Sequence, residues 1–398
     1  MVLQVLIAST VLFAAASLVL TLLVHLAVHI KASRKPPESD RPMPISVLKP
    51  LKGVDDELWE NLVALAEQDH PEFEIVLGAA DPLDPALTVA RRFQRAYPGV
   101  DIRVHVCDQT LGLNPKVSNL AVLSQYATYE QILISDSNVR PGPSYLRDIA
   151  AELAQEGVGL VSNVLVGVGE RSTGALFENL HLNSFVASVI CAADLVGHPC
   201  VIGKSMLFRK RHLEELGGWH AVADILAEDY VLGNWFHKAG HKVALSSHVL
   251  PTVNVDWTFE RFSNRHVRWA QLRRRINPPA FFAEPLLYPV PFVAAAVALG
   301  AAAGTLTPVL AAAALGTVVL KVLSDDLLNR RLRGDSIGWR GMLVAPIKDL
   351  VVFLLWSVAA VKRVVIWRGN KFIIDEGSRV RPLHEEPALE PLGFDEVA

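Results

Sequence analysis

The first thirty residues, Met1 to Ile30, contain no Asp, Glu, Lys or Arg. Nothing constrains this chain more, because at about 1.5 Å of rise per residue such a helix can cross the roughly 30 Å hydrocarbon core of a bilayer. A cleaved secretory leader would need a basic start, an apolar stretch of about 7–15 residues and a small-residue cleavage site. Here the start is not basic and the apolar run is too long, so an uncleaved anchor is expected. Lys31, Arg34, Lys35 and Arg41 come immediately after it, and the bias of basic residues toward the cytoplasmic face puts the chain beyond them in the cytoplasm. Three widely spaced cysteines, Cys107, Cys191 and Cys200, make neither a disulfide framework nor a zinc knuckle and fit a reducing compartment.

Hydrophobic residues make up 51% of the chain and charged residues only 20%. The apolar excess sits at the two ends. A second charge-free block, Leu286–Leu320, is long enough for two crossings, with Gly304-Thr305-Leu306-Thr307-Pro308 as the turn. A third, Met342–Val361, is interrupted by Lys348 and Asp349. Both of its flanks are basic: Arg330, Arg331, Arg333 and Arg340 before it, Lys362, Arg363, Arg368, Lys371, Arg379 and Arg381 after it. A crossing would put one basic flank outside, so this block is expected to be re-entrant or interfacial, with Lys348 and Asp349 near the headgroups. The expected division is an anchor (1–30), a cytosolic domain (31–285), a transmembrane hairpin (286–323), a basic loop with an embedded helix (324–370) and a polar tail (371–398). The net charge of −3 argues against a nucleic-acid partner.

Within 31–285, short apolar runs alternate with helical patterns. Strands are expected at Ile45–Leu51, Glu74–Ala80, Ile102–Val106, Gln131–Ser135 and Gly159–Val166, and helices at Glu57–Gln68, Pro85–Tyr97 and Lys116–Tyr126. This rhythm predicts an α/β fold with a mostly parallel sheet covered by helices on both faces. Ligands of such sheets sit beyond the carboxyl ends of the strands, so the residues at those ends matter most.

After the second strand comes Asp81-Pro82-Leu83-Asp84, and after the fourth Asp136-Ser137-Asn138. Asp84 reads as an ordinary helix cap. Asp136 and Asn138, two residues apart at a strand end, can present two oxygens on one side, as a hard divalent cation requires. Glu228-Asp229 opens an apolar helical stretch, and only one of the two can face a given site because helical neighbours point about 100° apart. Further on, Arg265 and Arg268 stand at i and i+3 on one helical face with Trp269 beside them. Two such guanidiniums can clamp a diphosphate. Arg273, Arg274 and Arg275 read instead as a membrane-hugging basic run. Cys200 reads as a structural thiol.

Asp81, Asp136, Asp229 and Arg265-x-x-Arg268-Trp269, in that order, resemble the D, D, D, (Q/R)xxRW signature of inverting glycosyltransferases. The words Leu48-Lys49-Pro50-Leu51-Lys52-Gly53, Gly112-Leu113-Asn114-Pro115-Lys116 and Gly203-Lys204-Ser205-Met206 are similar to those of ceramide glucosyltransferases and their bacterial relatives, glycosyltransferase family 21. The resemblance implies a GT-A fold, a UDP-sugar donor, a divalent metal (Mg2+ or Mn2+), a lipid acceptor in the bilayer and an integral protein of a bacterial inner membrane. Through it, Asp81 would hold the uracil end of UDP and Lys116 would touch the donor. Asp136, with Asn138, would act at the metal and diphosphate, and Asp229 would be the general base. Arg265, Arg268 and Trp269 would bind the diphosphate. Asn138 stands where many relatives carry a second Asp, which weakens the expected metal site.

The expected reaction moves a hexose, glucose by preference, to the hydroxyl of ceramide, with Asp229 deprotonating that hydroxyl as it attacks. The resemblance also admits N-acetylglucosamine transfer to a hopanoid polyol such as bacteriohopanetetrol. A processive polysaccharide synthase shares the closing motif but needs a translocation channel, for which three or four apolar blocks are few. A non-catalytic scaffold would be expected to have lost one of the acidic motifs, and none is missing.

Overall fold

The computed structural model describes residues 2–39, 43–367 and 370–382. Arg41, Arg368 and the tail from 383 onward lie outside the described residues. The polar domain is built on a seven-stranded sheet of order β3-β2-β1-β4-β6-β5-β7. Its strands are β1 (Ile45–Pro50), β2 (Phe73–Ala79), β3 (Asp101–Val106), β4 (Gln131–Ser135), β5 (Val158–Val168), β6 (Ser205–Arg209) and β7 (Lys242–Val253). β1 to β4 pair in parallel, as does β5 with β7. β6 is inserted antiparallel between β4 and β5. All five expected strands and the three helices between them are present within a few residues of their expected ends. β6 and β7 were not among the expected strands.

Alternation along the buried strands feeds two cores. Val47, Ile75, Leu77 and Leu133 pack on one face with Leu62, Leu87, Phe93 and Ile149. Leu48, Val76, Ile132 and Ile134 pack on the other with Val117, Leu120, Phe208 and Phe236. Helix starts fix where the loops turn. Asp84 accepts from the Ala86 amide, with Pro85 next, and Asn114 accepts from the amides of Lys116 and Val117, with Pro115 next. Both are the side-chain caps and first-turn prolines that helix N-termini favour.

Long apolar helices flank this domain: Val2–Ala32, Pro308–Arg333 and Gly338–Val361 are each long and apolar enough to cross a membrane. Thr173–Leu195 passes the same test, but most of it is buried within the protein. Where a transmembrane hairpin is expected, Pro289–Ala302 and Pro308–Arg333 form a helical hairpin. The first arm is long enough to cross only together with Pro278–Leu287, from which it bends by 61°. Gly304, at φ 64°, lies in the turn, and Thr307 caps the second arm. That arm continues as helix beyond 323 to Arg333, where Arg331 donates to the Ala32 carbonyl and to Ser33 Oγ, so the two helices end side by side.

The block at Met342–Val361 is part of one continuous helix, Gly338–Val361. Its start is tied to the preceding arm through Asp326, which accepts from Ser336 Oγ (2.6 Å) and the Ile337 amide (2.9 Å). Nearby, Arg333 pairs with Glu170 of the sheet domain at 2.7 Å. Its end receives Arg274 on the Ala359 carbonyl and Gln271 on the Lys362 carbonyl, both at 3.1 Å. The end therefore touches the sheet domain, and the start is tied to the preceding arm, whose own last residue, Arg333, touches it. Lys348 and Asp349 are fully buried, pairing with each other at 2.6 Å and, through Asp349, with Lys321 at 3.1 Å. The opposite face exposes Leu343, Ile347, Leu350, Leu354 and Val358.

A small antiparallel sheet completes the described chain, β8 (Val364–Trp367), β9 (Asn370–Ile374) and β10 (Val380–Pro382). It docks on the sheet domain: the Leu226 and Ala227 amides donate to the Ser378 carbonyl and hydroxyl at 2.9 and 2.8 Å.

Candidate active site

The β4–β6 pairing sets Ser135 opposite Ser205 and so places Lys204 beside Asp136, whose amide donates to the Lys204 carbonyl. Lys204 Nζ lies 2.5 Å from Asn138 Oδ1 and 3.5 Å from Asp136 Oδ2. Asp136 and Asn138 thus do aim two oxygens at one point, and an ammonium occupies it. The other Asp136 oxygen takes Lys116 Nζ at 3.1 Å. From β1, the fully buried Lys49 donates to the Asp136 carbonyl at 2.7 Å and to Ser135 Oγ at 3.1 Å. Burial works against ionising the Asp136 carboxyl, but Lys116 and Lys204 hold it well below the usual carboxylate range. Burial brings Lys49 down to about 7 and Lys204 to about 8, opposed in both by the Asp136 charge.

Lys116 is the hinge of the site. Besides Asp136, its ammonium meets Glu228 Oε1 at 3.2 Å and the Gly203 carbonyl at 2.9 Å. Burial disfavours its charge, yet Asp136 and Glu228 keep it well above the ordinary lysine range. Asn114 holds Glu228 from the other side at 3.1 Å. Asp229, one residue on, accepts from the Gly203 amide at 2.6 Å and is more exposed than Glu228. Burial and the adjacent Glu228 charge raise its carboxyl to about 6. A Cβ at Gly203 would stand 2.9 Å from Asp229 Oδ2 and 3.1 Å from Lys116 Nζ, so a side chain there would displace both groups.

The helix Phe259–Ile276 carries the expected basic pair. Arg265 Nη1 pairs with the fully buried Glu178 at 3.0 Å, and its guanidinium lies over Trp269 (4.3 Å) and Trp257 (5.1 Å). His266 contacts the other Glu178 oxygen at 2.8 Å. Arg265 is close enough for its charge to bear on Lys204, while Arg268 is half-buried on the same helix. Asp81, beyond β2, is exposed and accepts from the Leu83 amide. Asp84 also binds the Gly53 amide, in addition to its capping role. Arg273 is held by both oxygens of Glu284 and Arg274 by a carbonyl, so these two are bound within the protein and do not form a membrane-hugging run. Burial pushes the Cys200 thiol up to about 12, in keeping with a structural role.

Sequence reasoning thus reached Asp136, Asn138, Lys116 and Asp229, which meet in one network, and left out Lys49, Lys204 and Glu178. The signal for the two lysines was present. Each is a lone charge inside an apolar word at a strand, where a cation needs a reason to be buried.

This mostly parallel α/β sheet, with charged residues gathered beyond its strand ends, is the GT-A fold of a solved glycosyltransferase, and the family match makes the chain a sugar-transferring enzyme. The chain belongs to glycosyl transferase family 21, whose model matches residues 9–380. It is 26% identical over 343 residues to ceramide glucosyltransferase 3 of Caenorhabditis elegans, covering 85% of this chain and 74% of that one. Ceramide glucosyltransferase 1 of the same organism is 25% identical over 350 residues, covering 86% and 74%. Among solved structures, the mannosyltransferase PcManGT of Pyrobaculum calidifontis, in complex with GDP-Man and Mn2+, superposes with a TM-score of 0.54. It is 20% identical, covers 87% of this chain and 99% of its own, and at that identity demonstrates the fold alone. Apolar helices and family together make the chain a membrane protein that transfers sugar to lipid.

Proposed function

We propose that this chain transfers glucose from UDP-glucose to the hydroxyl of ceramide, with inversion at the anomeric carbon. One observation carries the reading: around Gly203, ammonium groups gather on the Asp136 side and carboxylates on the Asp229 side. The departing UDP gains negative charge and belongs by Lys116 and Lys204, whose fixed charges act in a partly dry site. The attacking hydroxyl belongs by Asp229. Its carboxylate accepts the proton, and a value near 6 leaves it ionised at neutral pH while still basic enough to be effective. Direct displacement needs no covalent intermediate. Arg268 and Trp269 flank the diphosphate, Arg265 acts from its Glu178 tether, and Asp81 serves the uracil end.

A divalent cation (Mg2+ or Mn2+), which the family resemblance implies and the Mn2+ of the mannosyltransferase supports, would fall on Asp136 and Asn138. Those oxygens already hold the Lys204 ammonium, and the Lys116 and Lys204 ammoniums on the Asp136 carboxylate do not fit an added dication. No step is assigned to a metal.

We assign the sheet domain to the cytoplasmic face of a bacterial inner membrane. The contacts at both ends of Gly338–Val361 support a helix that lies along the interface or is re-entrant. Ser378 is buried, so cysteines at Arg340 and Glu376 are the better probes: a membrane-impermeant thiol reagent on intact cells should label neither. Labelling at Glu376 alone would mean that the helix crosses.

The function is tested by incubating the purified chain with UDP-glucose and ceramide and monitoring UDP release and lipid mass. Glucosylceramide, with UDP release dependent on the lipid, is expected. A product formed only from UDP-N-acetylglucosamine and bacteriohopanetetrol would move the acceptor to hopanoids, and UDP binding without release would indicate a scaffold.

A further inference from the structure

We propose that Lys204 takes the place of a divalent cation, so that donor binding and sugar transfer proceed without metal. The inference rests on the reading of this site as a nucleotide-sugar site and goes beyond it. Asp136 and Asn138, at the end of β4, are the oxygens that a cation would use. Lys204 sits on both, 3.5 Å from Asp136 Oδ2 and 2.5 Å from Asn138 Oδ1. Its position is built in, since the backbone bond from the Asp136 amide to the Lys204 carbonyl and the Ser135–Ser205 pairing fix it at the start of β6. The side chain is buried, with 8% of it exposed.

Charge and ligand type agree. Besides Lys204, the single Asp136 carboxylate is served by Lys116 at 3.1 Å, with Lys49 on its carbonyl. A dication placed on the Asp136 carboxylate would meet the Lys116 and Lys204 ammoniums at close range, each repulsion twice that between unit charges. Hard divalent ions favour several anionic oxygens, and position 138 offers a neutral amide. An ammonium is content with that pair: of its three N–H donors, two go to Asp136 and Asn138, and a third remains for a diphosphate oxygen. Asp136 is the most open of the three, with 28% of its side chain exposed, so the donor would approach from its side. Lys204 then supplies one fixed positive charge and one hydrogen bond to the leaving diphosphate. Lys116 supplies a second charge nearby.

The test measures UDP affinity of the full-length protein in detergent, by calorimetry, in excess EDTA and in Mn2+, alongside turnover. Wild type should bind UDP within about twofold in the two conditions and retain turnover in EDTA. Lys204→Met should bind UDP about tenfold to a hundredfold more weakly in EDTA, the loss of one hydrogen bond to a charged group. Lys204→Arg, which keeps the charge, should recover most of that loss. Thermal melting of each variant separates misfolding from a lost contact. Wild-type UDP binding abolished by EDTA and restored by Mn2+ would overturn the proposal while leaving the donor site intact. No UDP binding in either condition would overturn the donor-site reading and this proposal with it.

Discussion

Two buried charge clusters divide this molecule. One lies beyond the sheet, where Lys49, Lys116 and Lys204 surround Asp136 and where Lys116 reaches Glu228 beside Asp229. The other lies among the apolar helices, where Lys321 pairs with Asp325 (2.5 Å) and Asp349 (3.1 Å), and Lys348 with Asp349 (2.6 Å). His25 and Ser184 complete it, 2.6 Å from Ser324 and 3.2 Å from Lys348. Both use lysines and carboxylates, but they arrange them differently. In the helices the signs interleave, each charge against its opposite, and the field cancels locally. In the sheet domain the balance shifts along the cluster: Lys49, Lys116 and Lys204 surround the single Asp136, whereas Glu228 and Asp229 share Lys116 alone. Interleaved charges hold helices together. Separated charges can act on a substrate that gains negative charge at one end and loses a proton at the other.

The largest expected effect comes from breaking the interleaved cluster. Asp349→Leu strips a partner from both Lys321 and Lys348 and leaves two buried ammoniums facing one carboxylate. Removing one partner from a buried pair costs about 3–5 kcal/mol, so the variant should unfold far more readily in detergent or be cleared in cells. Its folded fraction should bind UDP with unchanged affinity. Weakened UDP binding by folded protein would mean that the two clusters are coupled.

Next comes the acid end of the separated cluster. Asp229→Asn keeps shape and the Gly203 contact but removes the proton acceptor, so turnover should fall about a hundredfold or more with UDP-sugar binding retained. Near-normal turnover in Asp229→Asn together with loss in Glu228→Gln would move the base by one residue. The geometry favours Asp229, because Glu228 is already engaged by Asn114 and Lys116.

The sheet domain was legible because its rules are local. Short apolar runs, helical patterns and the Asp84 cap mark elements that form from short-range signals. β6 escaped because it is five residues long and antiparallel, and nothing in Ser205–Arg209 announces where it inserts. Lys204 escaped with it, since its role exists only once β6 lies against β4. Lys348 and Asp349 were visible as charges in an apolar block, but their partners Lys321 and Asp325 belong to a different helix. The partner of Arg265 is the same case: Glu178 is 87 residues away in the chain, in a segment that passes as an apolar helix.

A smaller effect arises from the raised carboxyl of Asp229. Burial and the Glu228 charge place it at about 6, and the reactive form is the deprotonated one. The rate with limiting substrate should therefore be level above that pH and fall about tenfold per pH unit below it. Glu228→Gln removes a neighbouring negative charge, so the acid limb should move to lower pH. A limb that stays in place would show that burial alone sets the value.

The smallest effect is expected at Glu178, which neutralises Arg265 and accepts a hydrogen bond from His266 inside the protein. Burial would raise this carboxyl, but the Arg265 charge and the hydrogen bond from His266 hold it at about 2, so it is charged throughout the working range. Glu178→Gln keeps its volume and one acceptor oxygen but removes the charge. Arg265 would still lie between the rings of Trp257 and Trp269, and such stacking is worth about 0.5–2 kcal/mol per contact. The guanidinium should therefore stay near its position, and turnover should fall only about threefold to tenfold, by roughly 1 kcal/mol. UDP should bind no more weakly, because Arg265 gains freedom to meet an outside anion once its internal partner is neutral. A loss as large as that of Asp229→Asn, with UDP affinity intact, would instead make Glu178 the residue that aims the cationic end of the site.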